Sequence, residues 1–158
     1  MALPKICTIG YEGAAIEDLI ATLKSAGVTR LLDVREAPYS RREEFTTDTL
    51  AAALADFGIA YTHLRALGNP PPGREAARAG HAAAFREIFA AHLDGPEARR
   101  ALAFAAAETV CLLCLEKAAS HCHRGMVAAR MHALSGQEIV NLKVQAKQPH
   151  PAQSAFDF

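Results

Sequence analysis

Apolar positions recur along this chain with two periods, one suited to strands and one to helices. Lys5 to Gly10 is a short apolar run closing on Gly10-Tyr11-Glu12-Gly13, which predicts a first strand and a tight turn. Ile16, Leu19, Ile20 and Leu23 follow at i, i+3, i+4 and i+7, one face of an amphipathic helix. Gly27 is placed to end that helix, and Leu31 to Val34 reads as a second strand. Strand, helix and strand in this order form a βαβ unit, so the sheet is expected to be parallel.

Pro38 to Phe45 is polar and irregular. Thr47 or Asp48 is expected to cap a helix carrying Leu50, Leu54 and Phe57, with Gly58 at its end. Ile59 to Leu64 is a half-polar third strand. Leu67 to Gly73 holds three prolines, which cannot donate to a ladder. It is expected to be a loop that continues through residue 80 and could act as a lid bordering the site. Phe85, Ile88, Phe89 and Leu93 mark another helix, and Pro96 suits the first turn of the next. Val110 to Leu115 is the most apolar strand and is expected at the centre of the sheet. A helix over 125–134 stops at Gly136, and Ile139 to Leu142 is a last strand. The pattern predicts one α/β domain over residues 1–142, a mostly parallel, Rossmann-like open sheet flanked by helices. A loosely held tail over 143–158 follows it.

Composition supports one core. Of 158 residues, 51% are apolar, too many for a disordered chain. The 17 basic and 17 acidic residues cancel, so net charge does not indicate a nucleic-acid partner, although a local basic pocket for one remains open. No apolar run is long enough to span a bilayer, and the start lacks a signal-peptide pattern. These features predict a cytoplasmic protein without a membrane partner, whose four cysteines are reduced.

Ligands of open parallel sheets bind beyond the carboxyl ends of the strands. Three such ends carry polar chemistry: Gly10-Tyr11, Asp33-Val34-Arg35, and Glu116-Lys117 with the following His121-Cys122-His123-Arg124. Alternation puts Leu31, Asp33 and Arg35 on one face of their strand. Asp33 reads either as an acid/base or as a carboxylate pinning a loop through backbone amides. Glu116 reads as a general acid or base, or as a partner of Lys117 or Arg124. Cys122 and His123 precede a helix, where the dipole and Arg124 favour a thiolate and hence nucleophilic chemistry. The alternative is a loop held by His and Arg hydrogen bonds around a buried Cys122. Arg41-Arg42 beside Tyr39 and Ser40 could hold a phosphate, the alternative being a solvated loop whose charge Glu43 and Glu44 offset.

Cys111 and Cys114 have redox spacing, but positions three apart on a strand face opposite ways, so no disulfide is expected between them. Both, with Cys7, read as core thiols. Cys114, His121, Cys122 and His123 lack a paired ligand framework, so no metal site is expected. The turn glycines do not match a dinucleotide or P-loop fingerprint, and no cofactor follows from the sequence.

Five blocks occur in a recognisable order. They are Thr8-Ile-Gly-Tyr-Glu-Gly13, Leu32-Asp-Val-Arg35 with Pro38-Tyr-Ser-Arg41, Gly58-Ile-Ala-Tyr-Thr-His-Leu64 with Leu67-Gly68, Cys111-Leu-Leu-Cys-Leu-Glu-Lys117, and Cys122-His-Arg124. In them the chain resembles the domain of unknown function family 488, from Ile6 to about Leu142. The resemblance implies an α/β domain and no established activity. It implies as motif residues Gly10, Tyr11, Asp33, Arg35, Ser40, Arg41, Glu116, Cys122, His123 and Arg124. The chain departs from the family pattern at Ala118-Ala119-Ser120 and at Asn69, where a second glycine is usual. The leading expectation is an enzyme on a small anionic or nucleotide-like substrate. In it Arg35, Arg41 and Arg124 bind the anion, Asp33 or Glu116 moves a proton, and Cys122 is the nucleophile. A nucleotide or nucleic-acid binding module without turnover, and a metal-stabilised interaction domain, are the alternatives.

Overall fold

The computed structural model describes residues 3–37, 42–103, 108–115 and 123–146. Buried strands sit inside and half-buried ones at the margins. Strand β1 (Ile6–Gly10) and strand β4 (Val110–Cys114) are buried along their whole length. Strand β2 (Arg30–Asp33) lies on the other side of β4, with β3 (Ala60–His63) and β5 (Ile139–Asn141) at the two edges. The order is β3-β2-β4-β1-β5 and every pairing is parallel. The most apolar strand is central, as expected, because an apolar run is best suited to burial under helices on both faces.

Helix α1 (Ile16–Ser25) buries Leu19, Ile20 and Leu23, with Glu17 and Asp18 in its first turn and Lys24 in its last, each favourable to the helix dipole. It shares one face of the sheet with α2 (Thr47–Ala55). There Leu19, Leu23, Leu50 and Leu54 pack on Cys7, Ile9, Leu31, Cys111 and Leu113. The opposite face receives α4 (Ala82–Leu93), α5 (Pro96–Leu102) and α6 (Arg124–Ser135). Their Phe89, Leu93, Leu102, Val127 and Met131 pack on Ile6, Leu32, Val110 and Leu112. The connections leaving β1 and β2 therefore run over one face, and those leaving β3 and β4 over the other. The reversal falls at β4, between β1 and β2. That is where a crevice opens beyond the strand ends of such sheets.

Three expectations are corrected. Residues 71–78 are not loop: Pro71–Arg78 forms helix α3, with prolines at its first positions, and it packs against α4. Proline bars a ladder but suits the first helical turn, whose amides have no intrahelical partner. The lid reading thereby loses its basis in an irregular loop. Thr46, not Thr47 or Asp48, precedes α2, and its hydroxyl donates to the Glu43 carbonyl rather than capping the helix. Phe57 lies beyond the end of α2 and is 53% exposed, so it is no part of the core. At the other end of the chain, Leu142 N donates to the Thr8 carbonyl and Gln145 N to Thr22 Oγ1, which ties residues 142–145 along α1. Residues 147–158, the rest of the expected tail, lie outside the described residues.

Candidate functional site

The carboxyl end of β2 carries the most polar chemistry in the described chain. Asp33 is the last residue of the strand and is fully buried. Its Oδ1 accepts from the Arg35 amide at 3.1 Å and from Arg35 Nε at 2.8 Å. Its Oδ2 accepts from Arg35 Nη2 at 2.6 Å and from the Tyr61 hydroxyl at 2.5 Å. Strand alternation explains the Arg35 contact, since residues 33 and 35 share a face. Register explains the Tyr61 contact, because β3 runs beside β2 with Leu31 opposite Tyr61 and Asp33 opposite His63. Arg35 Nη1 also donates to the Tyr11 hydroxyl at 3.3 Å, and Tyr11 is stacked on Phe45 with ring centroids 4.4 Å apart.

This network sets its own electrostatics. Burial works against the Arg35 charge, but the hydrogen bonds and charge of Asp33 outweigh it and hold the guanidinium pKa above its ordinary value. Burial, and then the Asp33 carboxylate, push the Tyr61 phenol up to about 12. Asp33 and Arg35 therefore form a buried, bidentate ion pair with its remaining acceptor site filled by a phenol.

The backbone just after Asp33 is pinned from both sides. His63 Nε2 bonds the Arg35 carbonyl at 2.6 Å, and His123 Nε2 bonds the Val34 carbonyl at 2.7 Å. His123 in turn meets Phe89 edge-on, with ring centroids 5.3 Å apart. Gly68 lies against Glu36 so closely that a Cβ there would stand 2.4 Å from the Glu36 Cα. The Glu36 carboxylate pairs with Arg74 Nη2 at 3.1 Å, which brings α3 to the border of the site.

On the other face, α6 begins with Arg124, only 1% exposed, and its Nη1 donates to Cys114 Sγ at 2.8 Å. Gly10 ends β1 opposite Cys114, and Tyr11 N continues the ladder to the Cys114 carbonyl. Cys114 is disulfide-bonded, whereas Cys7 and Cys111 are free and buried. The expectation of four reduced cysteines, with Cys114 a core thiol, is thus corrected. The expectation of no Cys111–Cys114 bond holds, because the two side chains face opposite sides of β4.

Of the residues singled out from sequence, the fold gathers Gly10, Tyr11, Asp33, Arg35, His123 and Arg124 at one edge. Ser40, Arg41, Glu116 and Cys122 lie outside the described residues. Tyr61, His63, Gly68 and Arg74 were missed. The first three stand within the family-like blocks, and the two-residue spacing of Tyr61 and His63 put both on one strand face. Among the described residues, no three His, Cys, Asp or Glu side chains are grouped to hold a metal. No helix there is long and apolar enough to cross a membrane. A surface groove of about 750 Å³ is lined by Thr22 and Ser25 of α1 and by residues 141–143, 145 and 146. It flanks the second half of α1 and the residues that follow β5, and none of the polar strand-end residues lines it.

The fold and this site define a class: a parallel α/β domain with buried polar strand ends gathered where the connections change sides. Residues 15–131 match the family model of the Domain of unknown function DUF488, and the chain belongs to that family. No curated protein and no solved structure matches it.

Proposed function

We propose that this protein is an enzyme acting on a small anionic, nucleotide-like substrate at the carboxyl edge of β1, β2 and β4. One observation carries the reading: Arg35 and Arg124 reach the same sheet edge from its two faces, beside the first turn of α6. Helix amides and guanidinium groups in that arrangement suit phosphate or carboxylate. In this reading Tyr11, Arg35 and Arg124, with Ser40 and Arg41, hold the anion against the Gly10 turn. Asp33 has both oxygens occupied, so it orients Arg35 and leaves proton transfer to Glu116 or His123 and nucleophilic attack to Cys122.

The test is amide NMR during titration with inorganic phosphate, nucleoside monophosphates and nucleoside triphosphates. Shifts at residues 10–12, 34–36 and 124–126, weakened in Arg35→Lys, are expected. No perturbation by any anion would overturn the proposal. The saturated Asp33 favours a second reading, a binding module without turnover. Glu116→Gln and Cys122→Ser separate the two. Under the enzyme reading they abolish turnover of a panel of phosphate esters while anion binding persists. Under the second reading there is no turnover to lose.

A further inference from the structure

Three of the described histidines bond main-chain carbonyls through Nε2: His63 to Arg35, His123 to Val34 and His92 to Ala66. A carbonyl only accepts, so Nε2 carries the hydrogen, and a neutral ring of this kind keeps its lone pair on Nδ1. The three differ in what else they touch. His92 stacks on Phe89 with ring centroids 5.8 Å apart, and His123 meets the same ring edge-on. His63 is half-buried at the end of β3. Its 2.6 Å bond to the Arg35 carbonyl is its side chain's only hydrogen bond or ring contact among the described residues.

His63 shares a strand face with Tyr61 and stands in register with Asp33. Its neighbours there are poorly suited to take a proton. Asp33 has both oxygens filled, and the Tyr61 hydroxyl already donates to it. Nδ1 of His63 is the open acceptor beside them. A histidine that served only to hold a carbonyl would need no more than a donor. A ring fixed in one tautomer through Nε2, with Nδ1 unoccupied at the carboxyl end of a strand, is also arranged as a base.

We propose that His63 is a general base of this site, taking a proton through Nδ1 from the water that completes hydrolysis. The inference rests on the enzyme reading above and adds to it a residue that reading did not use. The water gives its proton to Nδ1 as its oxygen bonds to phosphorus. The bond from phosphorus to the leaving atom breaks, and the electron pair stays on that atom, which regains a proton from solvent. His63 then releases its own proton to solvent and is ready again. The main chain of Arg35 holds the base while its side chain is assigned to the anion, so a single residue relates the two.

Turnover of the phosphate-ester panel is compared in wild type, His63→Gln and His63→Ala, with an inorganic phosphate titration of each. Glutamine keeps a donor for the Arg35 carbonyl and removes the base. His63→Gln is expected to lower kcat about a hundredfold, with KM and phosphate binding little changed. His63→Ala is expected to lose kcat as well and to shift the amides of residues 35 and 36. Turnover restored by glutamine overturns the proposal, since His63 then only holds the backbone, and leaves the enzyme reading standing. A wild type that hydrolyses no ester of the panel overturns both. If His63→Gln does not fold, carbethoxylation of the wild type by diethyl pyrocarbonate, mapped by peptide mass spectrometry, decides. Loss of turnover in step with modification of His63, slowed by inorganic phosphate, supports the base. Full turnover with His63 modified, or a His63 that does not react, overturns it.

Discussion

Among the described residues, two arginines are buried at the carboxyl edge of this sheet, one on each face, and the fold surrounds them differently. Arg35, 7% exposed, meets the Asp33 carboxylate through paired hydrogen bonds with Tyr61 and Tyr11 completing the network. Arg124, more deeply buried, meets the sulfur of Cys114. The first arrangement is a permanent opposite-charge pair that locks the end of β2. The second places a cation against a disulfide-bonded sulfur. One edge of the sheet thus presents its two arginines to different groups, a carboxylate on one face and a sulfur on the other. The histidines help to keep them in place, since His63 and His123 hold consecutive carbonyls between them.

The clasp is most directly broken at Asp33. Asp33→Ala leaves a buried guanidinium without its carboxylate and is expected to cost about 3–5 kcal/mol in urea unfolding. Asp33→Ala combined with Arg35→Met is expected to regain a large part of that loss. A double variant no more stable than the single one would mean that Arg35 is not held by charge.

Gly68 probes the same edge sterically. Gly68→Ala drives a Cβ into the Glu36 backbone and is expected to cost about 1–3 kcal/mol, the range for overpacking. Gly73→Ala meets side chains rather than backbone, chiefly the end of Asn69, which must turn aside, and α3 gains helix propensity there. Its unfolding midpoint is expected to lie near that of the wild type. Equal losses in both variants would show that the Gly68 contact is not special.

Tyr61→Phe removes one hydrogen bond to a carboxylate and is expected to cost about 1.5 kcal/mol at neutral pH. The sign of its pH dependence follows from the raised phenol. The folded state holds the Tyr61 proton up to about 12, and the unfolded chain releases it near 10. Folded protein therefore binds more protons between these values. The stabilisation is fully present below pH 10 and is lost as pH rises towards 12. Difference absorbance of tyrosinate, compared with Tyr61→Phe, checks it. A phenol ionising near 10 in the folded protein would separate Tyr61 from the clasp.

The smallest effect is expected at Phe57. This exposed aromatic contributes to neither core cluster, so Phe57→Ser is expected to move stability by no more than about 0.5 kcal/mol. A larger loss in thermal unfolding would mean that the second half of the α2 pattern does matter to the core.

Much of this was legible in the chain because it depends on near neighbours. The i, i+3, i+4 spacing of Ile16 to Leu23 specifies the buried face of α1. Gly27, Gly58 and Gly136 all adopt the left-handed φ of a turn where a helix ends. Strand alternation alone put Asp33 beside Arg35 and turned Cys111 away from Cys114. The Pro70-Pro71-Pro72 stretch was misread for a reason just as local: proline opposes a strand and starts a helix equally well, and only packing on α4 selects between them.

What the sequence by itself determined is therefore the five strands and the helices other than α3, the face most side chains take on their own strand or helix, and the family to which the chain belongs. The tertiary structure alone decided which elements meet. Strand order puts β4 between β1 and β2, lays Tyr61 against Asp33, and carries Arg124 to Cys114 across ten residues of chain. Periodicity is a property of neighbouring residues, whereas these contacts follow from burying two apolar faces at once. No local pattern encodes which of several equally apolar partners will satisfy that demand.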